Sequence, residues 1–371
     1  MLGHRRLLIS VFDPQEAREA LIGGARIIDC EDPRTSLGNI SPRQIMRIAE
    51  AVLRYKTDER IQISTNIGED QLLFDRGANG VALQKFADEI AGKAAQAALG
   101  VAASMGTVVH PVNIIKIGVD AMDIELIEAV LREIVLTIHR SDYYSHTQIV
   151  PVFFIRDVEA WNRRKGNADV IKRLLDLREF YFDDNGNIDL SAYYTDAQIA
   201  RMVPPGAQTT LVSLHQVYPY SNFGFENDTK CMLKQLVDLC AAVGVDGLML
   251  DTPIQHKVIR VGMLKHPRNA QDRGTDGTLP PREGMLTMDE ARFFCQYCHW
   301  MGIEAYLAGS IQAYHAEELW EIEELDSIAV RESASAVVRD PFNMQIDGDT
   351  RHQRRIKREL VAKFIPPEQD P

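Results

Sequence analysis

Residues 25–55 read "ARIIDCEDPRTSLGNISPRQIMRIAEAVLRY". "ARIIDC" is an apolar, β-branched run and reads as a buried strand. "SPRQIMRIAEAVLRY" is a helix that starts at Ser41, a good N-cap, with Pro42 in the first helical position. The polar loop between them begins with Asp29 and Glu31, two acids at a strand end, which are costly to bury and useful for chemistry. A strand that feeds a helix through such a loop is half of a parallel β/α repeat.

The same unit recurs in both directions along the chain. Before it come the strand "RRLLISVFD" and the helix "PQEAREALIGG", with acids in its first turn and glycine at its end. After it come "RIQISTNIG", the long helical run "ALQKFADEIAGKAAQAALGVAASMG", "VNIIKIGV", "DIELIEAVLREIVLTIHR" and "TQIVPVFFI". Residues from about 157 to 210 break the alternation; they are polar and rich in Asp, Asn, Tyr and Arg, and read as a partly helical insertion after strand five. "TTLVSLHQV" is either a strand of that insertion or a continuation of the main series. Alternation resumes with helix "DTKCMLKQLVDLCAAVG", strand "GLMLDT", a loop, helix "MDEARFFCQYCHWMG", strand "EAYLAGS", a helix, strand "SIAVRE", and a closing helix in "RHQRRIKRELVAKF". About eight units with buried strands predict a closed (β/α)8 TIM-type barrel, one domain over residues 1–371 with the insertion inside it. No G-x-G-x-x-G opens a helix, and the glycines of "ALIGGARI" follow a helix as a cap, so dinucleotide binding has little support.

Bulk composition narrows the function class. The chain has 371 residues, of which 45% are hydrophobic and 25% charged, as in a soluble globular protein. A net charge of −12 argues against nucleic acid as a partner. The basic run Arg351–Arg358 reads as a solvated helix face, with phosphate or partner binding as the alternative. Cys30, Cys231, Cys240, Cys295 and Cys298 show no paired spacing beyond one C-x-x-C, which reads as buried helix thiols in a reducing setting. The apolar run at the N-terminus is too short for a signal peptide or a membrane span, so a cytoplasmic location and no membrane contact are expected.

In a barrel of this type, chemistry sits at the C-terminal strand ends. There the sequence places Asp29 and Glu31, then Ser64, Thr65 and Asn66, then Lys116, then Asp251 with Gln255, His256 and Lys257 behind it. Strand seven ends in Gly309 and Ser310, and strand eight in Arg331, Glu332 and Ser333. Lys116, flanked by apolar residues, would be desolvated; burial lowers an amine's pKa and makes it a nucleophile toward carbonyls. The alternative is a structural ion pair with Asp29, Glu31 or Asp251. Asp29 and Glu31 share one side of their strand if Glu31 is still in it; otherwise Glu31 faces solvent. Gly309, Ser310, Arg331 and Ser333 occupy the usual phosphate position of the barrel, where Glu332 opposes an anion.

At these residues a resemblance emerges. "LLIS", "ALIGGARIIDCEDP…SLG", "ISTNIG", "IIKIGV", "GVDGLMLDT", "GIEAYLAGSI", "IAVRESA" and "GD…RIKRELV" occur in the order found in (5-formylfuran-3-yl)methyl phosphate synthases. These are (β/α)8 enzymes of methanofuran and methylofuran biosynthesis. The resemblance spans most of the chain apart from about 157–210 and 258–285. It implies condensation of two glyceraldehyde 3-phosphate molecules into a phosphorylated furan aldehyde, through lysine imines and without a cofactor. Lys116 matches the family lysine of the "IKVG" motif, and Asp29 and Asp251 match its strand-end aspartates, the acid/base groups. Three positions depart from the family. Its Asp-x-Lys-x-Pro is Asp29-Cys30-Glu31-Asp32-Pro33 here; Gln255 stands at the lysine of Asp-Thr-x-x-Lys, with Lys257 two residues on as a substitute; and Val-Arg-Gly is Val330-Arg331-Glu332.

Three readings follow. The first is a family-type lyase in which Lys116 forms the imine and Asp29, Glu31 and Asp251 move protons. The second is a metal-assisted enzyme using those acids with a histidine such as His215 or His256. The third is a non-catalytic paralogue that binds a partner. The first is preferred, with a small phosphorylated aldehyde as substrate, no metal, and a homo-oligomer as the expected assembly, since such barrels often associate.

Overall fold

The structure, a computed structural model, describes residues 5–32, 37–55, 60–68, 85, 87–95, 112–119, 124–140, 146–155, 187–189, 211–213, 229–253, 256–257, 259–273, 280–337 and 354–365. Eight parallel strands close into a barrel: β1 (Arg6–Val11), β2 (Ile27–Cys30), β3 (Gln62–Asn66), β4 (Ile114–Val119), β5 (Gln148–Phe154), β6 (Gly247–Asp251), β7 (Glu304–Leu307) and β8 (Ser327–Val330). Each pairs with its neighbours in sequence, and β8 pairs with β1, as Leu7 opposite Ile328 shows.

Period-two alternation divides each strand between two cores. Leu8, Ile27, Ile114, Val150, Met249 and Tyr306 fill the barrel interior. Leu7, Ile28, Ile115, Ile149, Leu248 and Ile328 point outward into the larger core beneath the helices. The helices around the barrel include α1 (Pro14–Ile22), α2 (Pro42–Arg54), α3 (Ile124–His139), α4 (Thr229–Val243), α5 (Met288–Trp300) and α6 (Ala313–Leu319). Their starts follow from local chemistry. Asp13 caps α1 through the N–H groups of Gln15 and Glu16 at 2.8 and 2.9 Å, Ser41 caps α2, and Thr287 with Glu290 forms a capping box on α5. Gly24 closes the turn after α1 at φ +101, a left-handed conformation that favours glycine.

The N-terminal end of the barrel is plugged by polar side chains. Arg6 donates to Gln62 Oε1 at 2.5 Å and to Glu304 Oε2 at 2.6 Å. The Tyr306 hydroxyl donates to the same Glu304 oxygen at 2.5 Å, and Gln62 donates to Gln148 at 3.3 Å.

Several expectations change. Leu211–Ser213 pairs antiparallel with Asn187–Asp189 in a separate two-stranded sheet, so "TTLVSLHQV" does not continue the barrel; the rest of the expected insertion at 157–210 lies outside the described residues. The segment after β6 carries a parallel ribbon, Val261–Leu264 with Glu283–Leu286, where a loop was expected. The tail is not one helix: Arg354–Ile356 pairs antiparallel with Ser335–Val337, and a helix forms over Arg358–Val361. Its basic side chains are engaged, Arg354 with the Ser335 hydroxyl at 3.0 Å and Arg358 with Glu19 at 2.5 Å. Among the described residues no helix is long and apolar enough to cross a membrane.

Candidate active site

The centre of the site comes from β2 and β4. Asp29 lies on the interior side of β2, and Glu31, one residue past the strand, stays in line because its N–H donates to the Val11 carbonyl at 3.0 Å. Lys116 is on the interior side of β4. Its ammonium donates to Asp29 Oδ2 at 2.5 Å and to Glu31 Oε2 at 2.7 Å. Glu31 therefore faces into the barrel and not solvent. Ser10 on β1 adds a hydroxyl donor to Asp29 Oδ2 at 3.0 Å. Asp29 Oδ1 and the hydroxyl of Ser64, its register partner on β3, are buried without a hydrogen bond to protein.

This arrangement changes the electrostatic expectation for Lys116. Burial does favour the neutral amine, but Asp29 and Glu31 outweigh it and hold the lysine above its ordinary pKa. Burial also works against charge on Asp29, and there Lys116 prevails and keeps the carboxyl below its usual range. At Glu31 burial wins: against the pull of Lys116, and with the charge of Asp29 adding to the rise, its pKa is pushed up to about 8. One cation between two carboxylates leaves an excess negative charge, and a proton on Glu31 removes it.

A second pair lies at β6. Asp251 ends the strand, and Lys257 approaches it with its nitrogen 2.9 Å from Oδ1 and 3.0 Å from Oδ2. The Thr252 N–H donates to Asp251 Oδ1 at 2.6 Å and fixes the carboxylate. The lysine side chain is 19% exposed, against 3% for Lys116. Gln255 and His215 lie outside the described residues.

The expected phosphate position is assembled, with one important difference. Gly309, at φ +92, presses against Thr252; a Cβ there would lie 2.2 Å from Thr252 Oγ1. Ser310 is also left-handed, at φ +57. The ribbon sits against this turn, and Met263 N–H donates to the Gly309 carbonyl at 2.8 Å. Ser333 lies partly exposed on a short 3-10 turn, Glu332–Ala334. Arg331, however, points its guanidinium at the Ser10 carbonyl (2.7 Å) and at Glu16 (3.1 and 3.3 Å), so it is not presented as a free cation for an anion. Glu16 and Ser10 were not among the residues singled out in the sequence. Glu16 looks there like an ordinary first-turn acid of a helix; Ser10 could have been found from its alternation with Leu8.

Among the described residues no three His, Cys, Asp or Glu side chains are grouped to hold a metal ion. Cys295 and Cys298 are buried on α5, and burial raises both thiols.

Fold and geometry together define a TIM-type barrel with a buried lysine–carboxylate cluster at the end where such barrels carry their active sites. Residues 7–171 match the model of a family described as 4-HFC-P synthase. The matched span contains Asp29, Glu31 and Lys116. No curated protein sequence matches the chain. Similarity to solved structures is distant. N-(5'-phosphoribosyl)anthranilate isomerase from Pyrococcus furiosus is 10% identical with a TM-score of 0.41, covering 97% of this chain and 96% of that one. The lyase 2,3-dimethylmalate lyase is 12% identical with a TM-score of 0.38, covering 88% and 76%. At that level neither bears on what this chain does.

Proposed function

We propose that the protein is a carbon–carbon lyase of the 4-HFC-P synthase type. It condenses a phosphorylated aldehyde, glyceraldehyde 3-phosphate, through an imine on a lysine at the barrel mouth, in methanofuran- or methylofuran-type cofactor biosynthesis. The observation that carries the reading is the placement of Lys116 inside the C-terminal mouth between Asp29 and Glu31, joined by the Lys257–Asp251 pair. Imine chemistry needs an amine and groups that move protons around it, and these two pairs bring both to one end of the barrel. Lys116 is the amine that the family motif selects. Glu31, holding a proton up to about pH 8, is suited to donate it at neutral pH.

The test is incubation of the full chain with glyceraldehyde 3-phosphate and borohydride, followed by whole-protein mass measurement, alongside detection of a furan aldehyde product. A reduced adduct and a furan product are expected. A folded protein that yields neither refutes the reading and favours the binding-subunit alternative, to which the replacement of a family lysine by Glu31 also points.

A further inference from the structure

We propose that Arg282 and Arg260 form a binding site for a phosphate group, carried on a phosphate monoester or as free phosphate, on the ribbon that follows β6. Both residues lie in the stretch outside the family resemblance, and the inference stands apart from the imine chemistry above.

The ribbon brings the two arginines together. Glu283 stands opposite Val261, and its N–H donates to the Arg260 carbonyl at 3.0 Å. Arg260 and Arg282 each come one residue earlier, so they lie side by side where both chains enter the ribbon. Two guanidiniums placed so repel each other. Asp272 bridges them: its Oδ1 accepts from Arg260 Nη2 at 2.6 Å and its Oδ2 from Arg282 Nε at 2.8 Å. Burial pushes the Asp272 carboxyl up, but Arg282 and Arg260 outweigh it and hold it at about 2, so it is ionised at neutral pH. Two fixed guanidiniums then share this one carboxylate.

The remaining donors suit an oxyanion. The Arg282 side chain is 10% exposed and is fixed through Nε; its Nη1 and Nη2 have no hydrogen bond among the described residues. Arg260 commits Nη2 to Asp272, and its Nε is buried without a hydrogen bond. A guanidinium held by a carboxylate on one edge and open at its fork matches two oxygens of a phosphate. Arg331 is the contrast, since both its terminal nitrogens are engaged by protein.

The location agrees. Gly262, two residues past Arg260, packs on the turn after β7; a Cβ there would lie 3.2 Å from the Gly309 carbonyl oxygen and from Ser310 Cβ. The ribbon therefore rests on the end of the barrel where the loops after strands seven and eight hold phosphate. Arg260 also has φ +64, a left-handed backbone that a residue with a side chain rarely adopts. Strain and like-charge repulsion at one residue are costs that folds retain at ligand sites.

The experiment is calorimetric titration of the full chain with inorganic phosphate at neutral pH. One saturable site per chain is expected, weakened about tenfold or more in Arg282→Gln. Arg268→Gln, which removes a charge from the 56% exposed Arg268 between the two ribbon strands, should bind as the unaltered chain does. If Arg282→Gln does not fold, Arg282→Lys, which keeps the charge and loses the fork, replaces it with the same expected loss. No saturable binding by the unaltered chain overturns the proposal. Binding that survives loss of the Arg282 fork, or that falls equally in Arg268→Gln, also overturns it. Glyceraldehyde 3-phosphate titrated into the phosphate-loaded chain separates the sources: displacement assigns the site to the ester, and its absence to free phosphate, the site standing in both. Phosphate binding by a chain that traps no imine sinks the imine reading and leaves this site in place; a trapped imine without phosphate binding does the reverse.

Discussion

The barrel buries charge at both ends, in different ways. At the N-terminal end Arg6 meets one carboxylate, Glu304, with Gln62 and Tyr306 beside it. At the C-terminal end Lys116 meets two carboxylates, and Asp29 Oδ1 and the Ser64 hydroxyl are left without protein partners. The first cluster matches charges one to one and plugs the barrel. The second carries an acid in excess, whereas unpartnered buried polar atoms occur at both ends, Arg6 Nε at one and Asp29 Oδ1 at the other. A fold that needs charge at both ends only for stability has no use for that asymmetry, whereas a site that moves protons does.

The largest expected effect is at the mouth. Lys116→Met leaves the Asp29 carboxylate without counter-charge beside a protonated Glu31 and should cost about 3–5 kcal/mol in urea unfolding at pH 7. A loss no greater than that of Arg6→Met would remove the distinction between the two ends. Arg6→Met should cost about 1–2 kcal/mol, since Glu304, 29% exposed, can be rehydrated. The folded variant should keep its aldehyde chemistry; a collapse of activity without unfolding would tie the plug to the site. Tyr306→Phe deletes one hydroxyl donor to Glu304 and should cost about 1 kcal/mol, with the adduct yield unchanged.

The smallest effect at neutral pH, and the sharpest test of the excess acid, is Glu31→Gln. The folded chain keeps the Glu31 proton to about 8, above the ordinary 4.5 of the unfolded chain. Folding therefore takes up a proton between those values. This contribution to stability is full below pH 4.5 and is lost as pH rises through about 8. The glutamine variant has no such proton, so its unfolding free energy should fall less between pH 5 and 9 than that of the unaltered chain. Equal slopes for the two proteins would place the proton elsewhere.

Much of the site could be read in the sequence because strand ends and alternation are local properties. "IIKIGV", "ARIIDC" and "GLMLDT" place Lys116, Asp29 and Asp251 on barrel strands without reference to anything distant. What could not be read was which of these groups meet. β2 and β4 are separated by β3, and in a flat sheet strands two apart lie about 9–10 Å from each other. Closure of the barrel turns their side chains toward a common axis and lets Lys116 touch both Asp29 and Glu31. The expectation of a lysine with a lowered pKa gives way to the ion-pair alternative: the sequence offered Asp29, Glu31 and Asp251 as partners, and closure of the barrel decided that two of them meet the lysine together. Arg331 looked like a phosphate ligand because its strand end is the usual place for one. Its partner Glu16 sits 315 residues earlier and arrives only because β8 closes on β1.

Alternating apolar strands and capped helices, repeated in order, determined by themselves that this chain forms a (β/α)8 barrel and that its acids and lysines cluster at the C-terminal rim. These follow from periodicity and local hydrogen bonding, which act over a few residues. Tertiary structure alone decided that Lys116 is held by two carboxylates, that Lys257 is paired with Asp251, and that Arg331 is turned to Glu16. The first and the last are contacts between groups far apart in the chain, and Lys257 reaches back over the turn after β6 to an aspartate six residues earlier; the electrostatics of each depend on how much water the closed barrel excludes.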